Sequence, residues 1–316
     1  MSSSNRQASV VIPSHGGAEL LPTIVGPLLA DPATLEVVVV ADRDEAVERT
    51  VAAIAHPNLR CVRADAGADN PARQIGVEAA RGEVVVLLDD DVLARPGLVT
   101  RHLAHDHTRR LVLGYMPIEP RRLKGFRAFP ARTYEADYQA AVARWEEDPE
   151  RILGMFWAGN FSARREDLLS VGLSNPSYRG KYHADNDFGR RLQTAAITAC
   201  FDRSAASWHL YSRDGRGYVR VCRLQGAGRA LDAEPVEAPS SAERLAAKAM
   251  LRATYVAALL RADRVERHLL WRLRRIETRV GAYAAQNGRA EAEGLLLPAG
   301  GLLQDAPTLS AVAPPK

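Results

Sequence analysis

The chain has 316 residues, 47% hydrophobic and 25% charged, which suits one large α/β domain with a smaller appendage and excludes disorder throughout. Its 42 basic and 38 acidic residues give a formal charge of +4, and much of the arginine lies beyond residue 210. That asymmetry permits contact with phosphates or an anionic membrane surface but identifies neither. Three cysteines, Cys61, Cys200 and Cys222, with no CxxC pair argue against a disulfide framework and a thiolate zinc site. No run of about 18 apolar residues occurs, and the N-terminus has no apolar leader core, so the expectation is a cytoplasmic protein that neither spans a membrane nor is secreted.

Short Val- and Ile-rich runs alternate with helical patterns through the first part of the chain, the signature of βαβ units on a parallel sheet. Strands are predicted at about 8–12, 36–41, 59–63, 84–88 and 111–115, and helices near 17–30, 44–54, 70–80 and 96–106. Right-handed crossovers then give a doubly wound, Rossmann-like sheet whose ligands gather at the carboxyl ends of the strands. That rule points at Pro13–His15, Ala41–Asp44 and Asp89–Asp91.

Beyond Pro117 the pattern is irregular. Helices are expected near 134–147, 164–170 and 185–194, with a strand near 197–201, and the Gly-, Arg- and Pro-rich stretch 211–240 reads as a mobile loop. Residues 241–287 read as two long helices. They are expected to pack through Leu245, Leu251, Tyr255, Leu259 and Leu260 on one and Val265, Leu269, Leu270 and Leu273 on the other. The divisions are 1–116 and 117–240 for the two halves of the α/β domain, 241–296 for the C-terminal helices and 297–316 for a disordered tail.

The run Val84–Leu88 is apolar on both faces, so the strand is central, and it delivers Asp89, Asp90 and Asp91 to the sheet edge. Clustered carboxylates there suit a hard cation such as Mn²⁺ or Mg²⁺, which takes one or two carboxylates together with substrate phosphates. Capping of the helix that follows Pro96 is the plainer use of the same aspartates. His102, His105, Asp106 and His107 follow on that helix, where 102, 105 and 106 share a face and 107 points elsewhere, and read as a solvated helix face rather than a second metal cluster.

With these motifs in view, residues 8–215 resemble glycosyltransferase family 2, with a GT-A fold. Val10-Val11-Ile12-Pro13-Ser14-His15 is similar to the family's first strand and turn, Asp42 to its base-contacting acid, Pro71-Ala72-Arg73-Gln74-Ile75-Gly76 to its Ala-Arg-Asn-x-Gly helix start, and Leu88-Asp89-Asp90-Asp91 to its DxD motif. The resemblance implies that Pro13, Ser14, His15, Asp42, Arg73, Asp89 and Asp90 bind the donor. It also implies a metal on Asp91 and Asp89, completed by His209. His15 and Gln74 depart from the usual residues. Ala184-Asp185-Asn186-Asp187 resembles the family's Glu-Asp motif, with Ala184 in place of Glu, and the resemblance makes Asp185 the catalytic base. Asp187 competes for that role and otherwise joins Trp157, Gly159 and Asn160 around the acceptor.

The implied activity is metal-dependent transfer of a sugar from a nucleoside diphosphate, with UDP favoured, to an acceptor hydroxyl with inversion. A retaining enzyme shares the DxD motif and is the nearest alternative. Arg213, Arg216 and Arg220 are placed to close over the diphosphate. A nucleotidyltransferase is disfavoured because Ser14-His15-Gly16-Gly17 lacks the Lys of a phosphate loop. A non-catalytic basic scaffold would not need Asp42, Arg73, Asp89, Asp91 and Asp185 together. No nucleic-acid partner is expected, and a homodimer or a peripheral membrane contact remains for the C-terminal helices.

Overall fold

The computed structural model describes residues 6–67, 69–175, 184–230 and 235–287. The elements follow in chain order as β1 Ala8–Ser14, α1 Leu21–Leu29, β2 Thr34–Asp42, α2 Glu45–Ile54, β3 Leu59–Ala64, α3 Asp69–Ala79, β4 Val84–Leu88, β5 Val92–Ala94, α4 Leu98–Leu103 and β6 Arg110–Tyr115. Next come α5 Phe129–Glu147, β7 Asn160–Arg164, α6 Arg165–Val171, α7 Ala184–Thr194, β8 Thr198–His209, α8 Gly215–Arg229, α9 Ser241–Leu259 and α10 Asp263–Gln286. The eight strands form a sheet in the order β3-β2-β1-β4-β7-β6-β8-β5. Strands β1 to β4 are mutually parallel, as βαβ crossovers require, and β7 and β5 run antiparallel to their neighbours.

The parallel half follows directly from composition. Val10–Ile12, Val37–Val40 and Val85–Leu88 are all completely buried, because helices cover both faces of these strands. β-branched side chains fit such a pleated surface better than a helix, so each run stays extended.

Two strands escaped the sequence reading, and both organise the sheet edge. β7 pairs antiparallel with β4, setting Leu88 opposite Asn160. Its polar Asn160, Ser162 and Arg164 alternate with Phe161 and Ala163, but the first two are buried, so the strand shows no apolar run like those of its neighbours. β5 is three residues long and pairs with the far end of β8, Val92 against His209. β8 itself runs to His209, well beyond the predicted end at 201.

The histidines near α4 are not a solvated face. His102 and His107 are buried on β7, and Ser162 Oγ lies 2.8 Å from both His102 Nδ1 and His107 Nε2. Asn160 donates through Nδ2 to the Ala205 carbonyl (3.1 Å), so its Oδ1 accepts from His102 Nε2 at 2.9 Å. His102 is therefore the Nε2–H tautomer, with Ser162 donating to its Nδ1. His105, half-buried, pairs with Asp202 at 2.8 Å. α4 ends at Leu103, so only His102 lies on the helix while His105 and His107 lie in the turn after it, and the buried strand supplies the polar partners that draw His102 and His107 inward.

The stretch predicted as a mobile loop contains α8. Asp214 caps it by accepting from the Gly217 amide at 2.8 Å, and Tyr218 and Cys222, one turn apart, pack on Phe129, Ala247, Leu270 and Leu273. Its glycines serve close packing. A Cβ on Gly226 would sit 1.9 Å from the Thr278 carbonyl oxygen, and one on Gly281 would sit 1.9 Å from that of Arg223. The α8 and α10 backbones thus touch through reciprocal glycines.

α9 and α10 pack on the sheet domain, but not through all of the expected residues. Leu270 and Leu273 are buried, and Leu251 and Tyr255 pack beside them. Leu245, Leu259, Leu260 and Val265 instead face solvent, because Ala247, Thr254, Ala257 and Ala258 form the inner face of α9. Arg132 donates two 2.9 Å bonds to Glu266, and Arg274 bonds Asp137 at 2.7 Å, fastening α10 to α5. The tail 297–316 and the loop containing Pro176 and Gly180 lie outside the described residues. No described helix is long and apolar enough to cross a membrane.

Gly281→Val should drive a side chain into the Arg223 carbonyl and destabilise the chain by at least about 1–3 kcal/mol. Ala249→Val, on the exposed face of α9, should leave the urea midpoint within experimental scatter. Equal midpoints for both variants would refute the close helix crossing.

Burial lowers the pKa of both His102 and His107 from 6.5 to about 4. Between those values the unfolded chain binds protons that the fold refuses, so stability falls as pH drops from 6.5 toward 4. The loss is on the order of 1 kcal/mol per pH unit for each ring. Urea midpoints at pH 7, 6 and 5 check this, and a flat profile would contradict the buried neutral pair.

Candidate active site

The carboxyl ends of β1, β2 and β4 meet at one edge, and pairing there decides which groups meet. Because Leu88 lies opposite Asn160, the ladder continues with the Asp89 amide donating to the Gly159 carbonyl at 3.2 Å. Gly159 leaves room for its neighbours: a Cβ would lie 2.6 Å from the Met116 sulfur and 3.0 Å from Asp89 Oδ2, so a larger residue would have to displace both side chains. On the other side, Val92 opposite His209 brings the Leu210 amide to the Asp91 carbonyl at 2.7 Å and His209 Nε2 to Asp91 Oδ2 at 3.1 Å. Strand register, rather than loop chance, joins the acidic run to a histidine 118 residues later.

Asp89, Asp90 and Asp91 diverge. Asp90 accepts from the Ser14 hydroxyl at 2.7 Å, tying it to the end of β1. Asp89 is ion-paired with Arg73, whose side chain is 5% exposed and which also donates to Asn70 Oδ1 at 2.6 Å. Asp91 faces His209. The surrounding protein works to raise the Asp91 pKa, but His209 and then Arg213 outweigh it and hold the carboxyl below its usual value. Among the described residues no three His, Cys, Asp or Glu side chains form a ready-made metal cage. The anticipated trio of Asp91, Asp89 and His209 is thus divided, with Asp89 turned to Arg73.

The remaining expected donor residues sit on the same edge in supporting positions. Asp42 is buried and accepts from the amides of Ala66 and Gly67, both at 2.7 Å, so it shapes the loop after β3. His15 Nδ1 lies 2.8 Å from the Asp42 carbonyl oxygen, and Pro13 lies within β1 beside Val40.

From this edge a cleft of about 730 Å³ runs toward the C-terminal helices. Arg73, Asp89, Asp91, Gly159, Asp185 and His209 line its inner end, and Asp137, Arg144, Tyr218, Gln225 and Arg274 its outer end. One wall is aromatic: Trp157 stacks on Tyr138 with centroids 5.0 Å apart, and Tyr134 lies 5.2 Å from Trp157 and 5.0 Å from His209. Asn160 does not face the cleft, since its amide serves the buried histidine network. Arg213 lines the cleft with its guanidinium over the Tyr211 ring, whereas Arg216 and Arg220 belong to α8.

Asp185 and Asp187 occupy the first turn of α7 in unlike settings. Asp185 Oδ1 lies 3.5 Å from Arg73 Nη1, its other oxygen lies 3.4 Å from the Ala158 amide, and 37% of its side-chain surface is open. Asp187 is 10% exposed and accepts from Arg191 Nε at 2.9 Å and Asn175 Nδ2 at 3.1 Å. Asp185 therefore keeps part of its side chain open to the cleft, whereas Asp187 is nearly buried and ties α7 to Asn175.

The outer wall of the cleft is formed by α5 and α10, whose helices the sequence reading placed near 134–147 and within 241–287, and by α8, which it missed. The only local signal of α8 was the Tyr218/Cys222 spacing in a segment read as loop. Burial pushes the Cys222 thiol up to about 12, so it stays protonated.

Residues 9–167 match the family described as Glycosyl transferase family 2. No curated protein matches the chain by sequence. Among solved structures, the fold is similar to GalNAc-T7 crystallised with UDP, GalNAc and Mn²⁺, at 15% identity and a TM-score of 0.50. The match covers 72% of this chain and 52% of that one. S. aureus TarS 1–349 in complex with UDP-GlcNAc matches at 14% identity over 90% of this chain and 92% of its own, with a TM-score of 0.47. For the longer S. aureus TarS chain the identity is 16%, the coverage 80% and 43%, and the TM-score 0.47. The chain therefore spans about half or less of GalNAc-T7 and of the longer TarS chain, and at these identities the likeness is one of fold.

Asp185→Asn keeps shape but removes a proton acceptor, and should cut turnover of a nucleotide sugar by roughly a hundredfold or more with nucleotide binding nearly unchanged. Asp187→Asn should instead lower stability by about 1–3 kcal/mol through its buried partners. Purified variants assayed for transfer, binding and melting decide the matter. Normal transfer by Asp185→Asn with loss in Asp187→Asn would reverse the roles.

Proposed function

Since the chain belongs to glycosyl transferase family 2, whose members are glycosyltransferases on a GT-A fold, we propose that it transfers a sugar from a nucleoside diphosphate to an acceptor hydroxyl with inversion. The observation that carries this reading is the open Asp185 carboxylate, held by Arg73 in the cleft that also contains Asp89, Asp91 and His209. Asp185 takes the acceptor hydroxyl's proton as the oxygen attacks the anomeric carbon. The bond from that carbon to the diphosphate oxygen breaks on the opposite face, so no enzyme-bound sugar is formed.

Arg73 is the pivot of this scheme. It orients Asp185 toward the acceptor and Asp89 toward the donor, keeping both carboxylates at fixed positions as charge moves between them. Trp157 and Tyr134 supply apolar ring faces against which a sugar can rest. Arg213 stands at the cleft wall with a positive charge suited to a departing diphosphate.

A divalent cation fits the donor set of Asp91 and His209, a carboxylate oxygen and an imidazole nitrogen, provided that the diphosphate supplies other ligands. When bound, Mg²⁺ or Mn²⁺ would neutralise charge on the leaving diphosphate. Asp89 is a further ligand if it swings from Arg73. Uridine is the favoured base, on the family resemblance at Asp42 and Arg73.

Asp91→Asn removes the anionic ligand at nearly constant size and should abolish turnover and weaken UDP binding in Mn²⁺ by at least tenfold, about 1.4 kcal/mol. Calorimetry with UDP, with and without Mn²⁺, checks this. Full transfer in excess chelator would exclude a metal role, and a tenfold preference for GDP would exclude the uridine reading.

A further inference from the structure

Every large apolar side chain exposed among the described residues belongs to the α9–α10 hairpin or its neighbouring groove: Leu245, Val256, Leu259, Leu260, Val265, Trp271 and Phe126. The exposed positions are helically ordered. Along α9, Leu245, Lys248, Ala249, Arg252, Ala253, Val256 and Leu259 recur at spacings of three and four or join as neighbours, which is one outward stripe. On α10 the equivalent stripe is Arg264, Arg267, His268, Trp271, Arg272 and Arg275. Phe126 and Leu259 line the same small groove, so the apolar residues gather toward the hairpin tip around Leu260 and Val265.

The charge on this face is predominantly positive, with Asp263 as its exposed acid. Residues 241–287 hold ten Lys or Arg against four Asp or Glu, whereas the whole chain carries only +4. Three of those acids are engaged: Glu266 with Arg132, Glu277 with Arg223, and Glu243 with Arg279. Lys248, Arg252, Arg261, Arg264, Arg267, Arg272 and Arg275 are exposed, and among the described residues none of them pairs with a carboxylate. Arg275 lies over the Trp271 ring, its carbon 4.8 Å from the centroid, so an aromatic and a cation are presented together.

We propose that this hairpin face docks on an anionic lipid surface, with Trp271 and the aliphatic residues of the tip entering the boundary between headgroups and acyl chains. Interleaved aliphatic and basic side chains match that boundary, where apolar area is buried and each cation meets lipid phosphate. A second copy of the chain fits worse. A two-fold contact would set this cationic face against itself, leaving the arginines opposed to one another. The inward side of α10 carries Arg274 into the outer end of the cleft, so docking would also hold the cleft mouth near the membrane.

Sedimentation of the full chain with phosphatidylcholine vesicles, with and without phosphatidylglycerol, tests the proposal independently of any transfer reaction. Binding should require phosphatidylglycerol and be lost as salt rises from about 0.1 M to about 1 M, which shortens the screening length from about 10 Å to about 3 Å. The triple substitution Arg264→Gln, Arg267→Gln, Arg272→Gln should weaken binding roughly a hundredfold, at about fivefold per charge. Trp271→Ala should weaken it about tenfold, and bromolipid quenching of tryptophan emission should disappear with it. All four positions are exposed, so melting temperatures should not move. No binding to anionic vesicles at low salt, or binding indifferent to both variants, overturns the proposal. So does a dimer in analytical ultracentrifugation that Trp271→Ala dissociates, which would assign the face to a second copy.

Discussion

The cleft is organised around one buried cation. Arg73 is almost sealed from solvent, and a guanidinium in such surroundings is tolerable only when charged or polar acceptors surround it. Its neighbours come from three places: Asn70 on its own helix, Asp89 at the end of β4 and Asp185 at the start of α7. No single element could supply these contacts, so their formation requires the sheet edge and the helix beyond it to be in register together. The planar fork of arginine reaches separate carboxylates, which the single ammonium of lysine cannot do in the same way. Asp89 and Asp185 are thereby coupled through one side chain.

How much of this was legible depends on the range over which each signal acts. The Val-rich strands were readable because burial on both faces leaves an uninterrupted apolar run. The acids at their ends followed from topology, since parallel sheets gather their carboxyl ends. β5 and β7 were not readable: three residues carry no periodicity, and Asn160 and Ser162 are polar in a core that satisfies them with His102 and His107. The same long-range pairing reversed the reading of the histidines, of which only His102 lies on α4 and is turned inward. α8 was hidden by glycines, which usually mark loops and here mark the contact between two helix backbones.

The residues around the reaction centre show the same division. Asp185 and Asp187 lie two apart in one turn, and composition cannot separate them. Arg191 and Asn175 do so in three dimensions by claiming Asp187. Asn160 seemed placed for the cleft beside Gly159, but alternation along β7 sends successive side chains to opposite faces. Expected leucine contacts in α9 failed for a related reason: alanines permit closer approach, so the inner face is the small-residue face and the larger side chains are left outside.

The pairing of Val92 with His209 also limits how this chain can vary in length. Side chains on a strand alternate, so inserting or deleting one residue between Asp91 and β5, or within the last turns of β8, would turn His209 to the other face and separate it from Asp91. Between those fixed points the chain passes through the turns flanking α5, where added residues need not alter either register. Change by insertion is therefore open in those turns and closed at the sheet edge that joins Asp91 to His209.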